Sequence, residues 1–162
     1  MNVQLKSIKH FPSMSDETEA FNAAIWMNGK KVGTVSNQGC GGPNDWHFTD
    51  KGLEMELKKH IDQMPPESVT FCGETHEIKM DMDQFFTNLL ADYLKAKETA
   101  RIEKWAQKEK SRLIAAGCAQ AIQIENGLDI LIVGVMPNKT NEEAFAACIA
   151  KRKWTNAKFK QI

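Results

Sequence analysis

The chain has 162 residues with 21 basic and 21 acidic side chains, so its formal net charge at pH 7 is zero. With 42% hydrophobic and 26% charged residues it has the composition of an ordinary folded protein. This excludes a disordered tail of low hydrophobicity and high net charge, a strongly basic nucleic-acid packager, and a membrane helix, which needs roughly 18 consecutive apolar residues.

The length predicts a single domain over residues 1–162 with a core large enough to fold unaided. The first residues, MNVQLKSIKH, alternate polar and apolar and do not read as a signal peptide. Cys40, Cys72, Cys118 and Cys148 are far apart and form no Cys-x-x-Cys pair. They read as reduced thiols of a cytoplasmic protein. Charge is uneven along the chain: Asp50–Asp92 holds 10 acidic and 4 basic residues, and Lys95–Arg112 holds 7 basic and 3 acidic ones.

In chain order, residues 2–9 form an extended run with Val3 and Leu5 in phase and Ile8 one step out of phase. Phe21–Met27, Asn28-Gly29 and Lys30–Val35 predict a hairpin, because Asn-Gly supplies the positive φ angles of a two-residue primed turn. Phe21, Ala23, Ile25 and Met27 should share one face, Ala24 and Trp26 the other. A loop from Ser36 to Asp45 follows. Thr49 or Asp50 then caps a helix with Leu53, Leu57, His60, Ile61 and Met64 at helical spacing, stopped by Pro65-Pro66.

Val69-Thr70-Phe71 reads as a short strand and Gly73 as a turn. Met82, Phe85, Phe86, Leu89, Leu90, Tyr93 and Leu94 follow the i, i+3, i+4 rule, and no Gly or Pro interrupts the chain from Asp81 to Ala116. One long helix is expected there. Cys118–Ile124, a turn at Glu125-Asn126-Gly127, and Leu128–Val135 form a second hairpin. Its Ile130-Leu131-Ile132-Val133 is apolar on both faces, as in a central strand. Thr140-x-x-Glu143 is a capping box opening a last helix, with Phe145, Cys148, Ile149 and Arg152 on its inner face. The order predicts an α+β fold: an antiparallel sheet built from two hairpins, a long central helix and two shorter helices.

Gly39-Cys40-Gly41-Gly42 places three glycines in four residues. Such a backbone can turn tightly and gather amides into an anion-binding nest. Asn37, Asn44, Trp46 and His47 add polar handles and an aromatic ring, so Asn37, Gly39, Cys40, Gly41, Gly42, Asn44, Trp46 and His47 form the candidate ligand site. The competing reading is an irregular turn between a strand and a helix. The stretch is neither a P-loop nor a dinucleotide fingerprint.

The stretch Phe21–Asn44 resembles an uncharacterised family of small phage, plasmid and bacterial proteins. In that family an (Asn/Asp)-Gly-Lys turn is followed by Gly-Thr-(Val/Ala)-Ser-Asn-x-Gly-x-Gly-Gly, an Asn and an aromatic. Gly33, Thr34, Ser36, Asn37, Gly39, Gly41, Gly42, Asn44 and Trp46 match. The likeness covers residues 20–50 well and the rest loosely, and Cys40 stands where the family often has His. It implies a mobile-element gene acting in a bacterial host cytoplasm, and no particular activity.

Cys40 and His47 could serve as nucleophile and base, or join Cys72 and His76 as zinc ligands, although those spacings match no familiar zinc motif. Neither a cofactor nor a metal is predicted. Lys97, Arg101, Lys104, Lys108 and Arg112 fall within about 80° of arc at about 100° per residue. They form a basic face on a helix arm near residues 95–116, which reads either as a solvated face of an arm packed by its Trp105 side or as a surface suited to a protein partner and less to nucleic acid. Trp105 on the same arm suits contact with a second copy, so a homodimer is among the expected partners.

Together these features predict a non-catalytic accessory protein of a mobile element. It would bind a host protein or a small anionic, nucleotide-like ligand and blunt a host process such as antiviral defence. The alternative is a small enzyme acting on a phosphorylated or nucleotide substrate at Gly39–Gly42.

Overall fold

The computed structural model describes residues 1–71 and 73–162. Their backbone packs as two compact units, Met1–Leu94 and Lys95–Ile162, where the sequence suggested one domain with a basic arm. The α+β class and the long helix hold. The two hairpins, however, lie in two different sheets rather than in one.

In the first unit β1 (Val3–His10), β2 (Phe21–Met27), β3 (Lys30–Asn37) and β4 (Asp45–Phe48) form an antiparallel sheet in that order. Asn28 and Gly29 have φ of 49° and 83°, the left-handed angles that a primed turn requires. Phe21, Ala23, Ile25 and Met27 are buried, and Ala24 and Trp26 are half-buried on the other face. Ile8 is brought back into phase by a bulge between Lys6 and Lys9, where Ser7 takes φ 52°. A second irregularity, between Ile25 and Trp26 of β2, lets the adjacent Val32 and Gly33 of β3 both be buried. Gly33 is needed at that point, because a Cβ there would strike the His47 carbonyl of β4.

β4 was not foreseen: it begins at Asp45, the last residue of the expected loop, and continues over residues given no element, and four residues are too few for their alternation to stand out. Beyond it the Asp50 side chain caps α1 (Lys51–Asp62) by accepting from the Gly52 amide at 2.6 Å. β5 (Glu67–Phe71) and β6 (Glu74–Ile78) form a separate hairpin around Gly73. α2 runs unbroken from Met82 to Ala115. Its Met82, Phe86 and Leu90 join the buried core with Ile25, Val35, Leu57 and Ile61, each large side chain contributing about 1.5–3 kcal/mol. Tyr93, expected on that stripe, is 37% exposed.

In the second unit β7 (Gln120–Asn126), β8 (Asp129–Val135) and β9 (Lys158–Gln161) form an antiparallel sheet in the order β8-β7-β9. α3 (Asn141–Arg152) opens on the expected capping box: the Thr140 hydroxyl accepts from the Glu143 amide, and the Glu143 carboxylate accepts from the Thr140 amide. It covers the face that carries Ile122, Ile124 and Val135. On the opposite face Gly134 leaves room for Cys118 and Leu113.

Three sequence expectations need correction here. The turn lies at Gly127-Leu128 rather than at Glu125-Asn126-Gly127, because β7 continues to Asn126, paired with Asp129. β9 was not foreseen. β8, read as a central strand, is an outer one, because β9 pairs with β7 instead.

Candidate functional site

The glycine-rich loop turns inward on itself. Gly39 and Gly41 have φ of 89° and 81°. The Gly39 carbonyl accepts from the amides of Asp16, Glu17 and Thr18 at 3.0, 3.1 and 3.4 Å. Three successive amides thus gather around an oxygen of the chain itself, the arrangement that elsewhere holds an anion. Asn37 is the hub of the loop. Its Oδ1 accepts from the Gly39 amide (2.8 Å) and the Thr18 hydroxyl (2.9 Å). Its Nδ2 donates to the Gly42 carbonyl (2.9 Å) and to Asn44 Oδ1 (3.3 Å). The Gly41 amide donates to Thr18 Oγ1 at 3.3 Å. The Gly39 and Gly41 amides are therefore taken by side chains of this chain.

Asn44 fastens the loop to α2. It is 6% exposed. Its amide donates to Asp83 Oδ1 at 2.6 Å, and its Nδ2 donates to the Asp83 carbonyl and the Thr87 hydroxyl at 3.1 and 3.0 Å. Trp46 and His47 point to opposite faces of β4, as a period of two dictates. The Trp46 ring lies 5.9 Å from Phe86 on the core side, with Nε1 donating to Glu54 at 3.2 Å. His47 is exposed and pairs across the sheet with Thr34. Cys40 is exposed, its thiol 3.8 Å from the Gln38 carbonyl, in a small recess lined by Ser36, Pro43 and Asp45. The predicted set thus divides: Asn37, Gly39 and Asn44 build the loop, Trp46 builds the core, and Cys40 and His47 face solvent.

Beside the loop lies an open cavity of about 590 Å³. Phe21, Leu90, Ala91 and Leu94 give it an apolar lining, and Thr18, Asn37, Gly42, Asn44 and Thr87 give it polar groups. Four carboxylates also line it, Asp16, Glu17, Glu19 and Asp83. Glu19 Oε2 is 2.6 Å from His10 Nε2, and His10 is largely covered, with 14% of its side chain exposed. Each carboxylate repels a bound anion and attracts a cation, by an amount that falls with distance and with salt. The charge lining of the cavity therefore favours a cation over an anion. In the sequence residues 11–17 form a polar break without periodicity, and Asp83 stands at a helix start, where an acid suits the dipole. No local signal links those residues to α2; their meeting is a long-range event.

The five basic residues of the helix arm are all exposed, but two are paired. Arg101 donates twice to Glu98, at 2.6 and 2.8 Å. Those hydrogen bonds, with the guanidinium charge, hold the Glu98 carboxyl below its usual range and raise Arg101 above its own. Arg112 lies 3.1 Å from Glu109. Lys97, Lys104 and Lys108 stand outside the ion pairs found among the described residues. Trp105 is 41% exposed.

Cys72, one of the four conceivable zinc ligands, lies outside the described residues. Among the described residues no three His, Cys, Asp or Glu side chains come together as a metal-binding group, and no helix is long and apolar enough to cross a membrane. Compared with family models, with curated proteins and with solved structures, the chain gives no match in any of the three.

Proposed function

We propose that this chain is a non-catalytic binding protein whose cavity beside the glycine-rich loop takes a cationic side chain of a partner protein. The observation that carries this reading is the pairing of an apolar lining, Phe21, Leu90 and Leu94, with Asp16, Glu17, Glu19 and Asp83. An arginine or lysine has the matching form, an apolar stem ending in a charge. The self-bonded loop favours a structural role for its glycines over a phosphate cradle. The likeness of residues 20–50 to phage, plasmid and bacterial proteins supports a host protein as the partner, and interference with host defence as the setting.

The test is a titration of isotopically labelled protein, followed by amide chemical shifts, with acetyl-arginine amide and separately with AMP. The arginine probe is expected to move Thr18, Asn37 and Asn44, and Asp16→Asn with Glu17→Gln to weaken it about tenfold. Shifts of the Gly39–Gly42 amides with AMP alone would overturn this reading in favour of an anion site. Turnover of a phosphorylated substrate that is lost in Cys40→Ala or His47→Ala would overturn it in favour of the enzyme.

A further inference from the structure

β8 carries the sequence of an inner strand in the position of an outer one. No charged residue stands between Asp129 and Lys139, and Ile130 to Gly134 are half-exposed. Among the described residues, no strand pairs with the other side of β8. Its outer backbone groups are a template for a further strand, which natural edges usually blunt with lysine, proline, a bulge or short length. β8 has seven residues in uninterrupted register with β7, from Gln120↔Val135 to Asn126↔Asp129, and none of these devices.

A second observation lies alongside. An open cavity of about 540 Å³ runs beside β8, lined by the apolar Leu131, Val133 and Cys148 and by the cations Lys139, Lys151 and Arg152. The occupant of the edge should therefore bring apolar side chains and a negative charge to the α3 side.

We propose that β8 pairs antiparallel with β8 of a second copy of this chain, joining two three-stranded sheets into one of six strands. Pairing about Ile132, the middle residue, overlaps the whole strand. Directly opposite residues share a face. Leu131 then faces the partner's Val133, and Asp129 faces the partner's Val135, all on the α3 side. Each strand's one charged residue, Asp129, arrives at the end of the other strand, where the partner's Lys139 lines the cavity. The match occurs twice by two-fold symmetry. This interface differs from the Trp105 contact that the sequence suggested.

The test is the oligomeric state of the full chain by sedimentation over a range of concentrations, with circular dichroism to confirm folding. The wild type is expected as a dimer of about 37 kDa, against 18.3 kDa for one chain. Leu131→Lys should raise the dimer dissociation constant by about 100-fold or more. Asp129→Lys should raise it by about tenfold, and adding Lys139→Asp should restore it to within about threefold. Asp129 and Lys139 are exposed, so this charge exchange carries the test if Leu131→Lys fails to fold. A monomeric wild type at the highest concentration, a dimer indifferent to Leu131→Lys, or a double variant no tighter than Asp129→Lys would each overturn the proposal.

Discussion

Replacing Asn37 by alanine isolates the reason the glycine-rich loop holds its form. The change removes four hydrogen bonds at 2.8, 2.9, 2.9 and 3.3 Å. A neutral hydrogen bond contributes about 1 kcal/mol net, less where water replaces a partner. Asn37 is half-buried, so the loss should be about 2–3 kcal/mol. For a chain of this size that lowers the melting temperature by about 5–10 °C, read by circular dichroism on heating. Hydrogen exchange supplies the local readout: the Gly39 amide, which donates to Asn37 Oδ1, should exchange faster. A melting temperature within about 1 °C of the wild type, with Gly39 exchange unchanged, would falsify the claim that the chain's own bonds shape this loop. Its amides would then be open to a ligand.

Neighbouring glycines should respond in opposite ways. In Gly39→Ala the new Cβ meets the Met14 carbonyl at φ 89°, so a loss of about 3 kcal/mol or more is expected. Gly42 has open space around its Cβ position, so Gly42→Ala should lie within about 0.5 kcal/mol of the wild type in urea unfolding. On the basic arm, Arg101→Ala should raise the Glu98 pKa toward the usual carboxylate range, followed by carboxyl NMR. The sign follows from linkage. A carboxyl lowered in the folded chain stabilises above its unfolded pKa, and that contribution fades as pH falls through the lower folded value. The variant should therefore lose less stability than the wild type on acidification through that window. The effect should be small, because the pair is fully exposed.

How much was legible in the sequence depended on how far apart the deciding residues lie. Asn28-Gly29, the Thr140–Glu143 capping box and the apolar stripe from Met82 to Leu94 are local signals, and all three appear in the structure. Ile8 looked out of phase because a bulge has no signature in a single strand. β4 and β9, at four residues each, are too short for a period to emerge. The apolar run in β8 was read for its neighbours, but such a pattern reports burial preference and cannot name the strand alongside.

The same limit applies to the site. The glycines marked the loop correctly, yet its bonding partners Thr18 and Asp83 lie 23 residues before Gly41 and 39 residues after Asn44. The Gly39 and Gly41 amides were therefore read as free when they are occupied. The carboxylates beside it were never assembled from the sequence, because two stretches that look like solvent-facing acids meet only in the folded first unit.

The unbroken run of α2 bears on how this chain can be divided. Modules that evolution shuffles usually meet at an exposed linker, where few interactions cross. Here the boundary between Leu94 and Lys95 falls inside a helix of 34 residues. Cutting there would strip the intrahelical partners from up to four carbonyls on one fragment and four amides on the other. Neither piece would begin or end on a capping residue. The two compact units are thus inseparable as cassettes, and any rearrangement that keeps both must keep the helix whole.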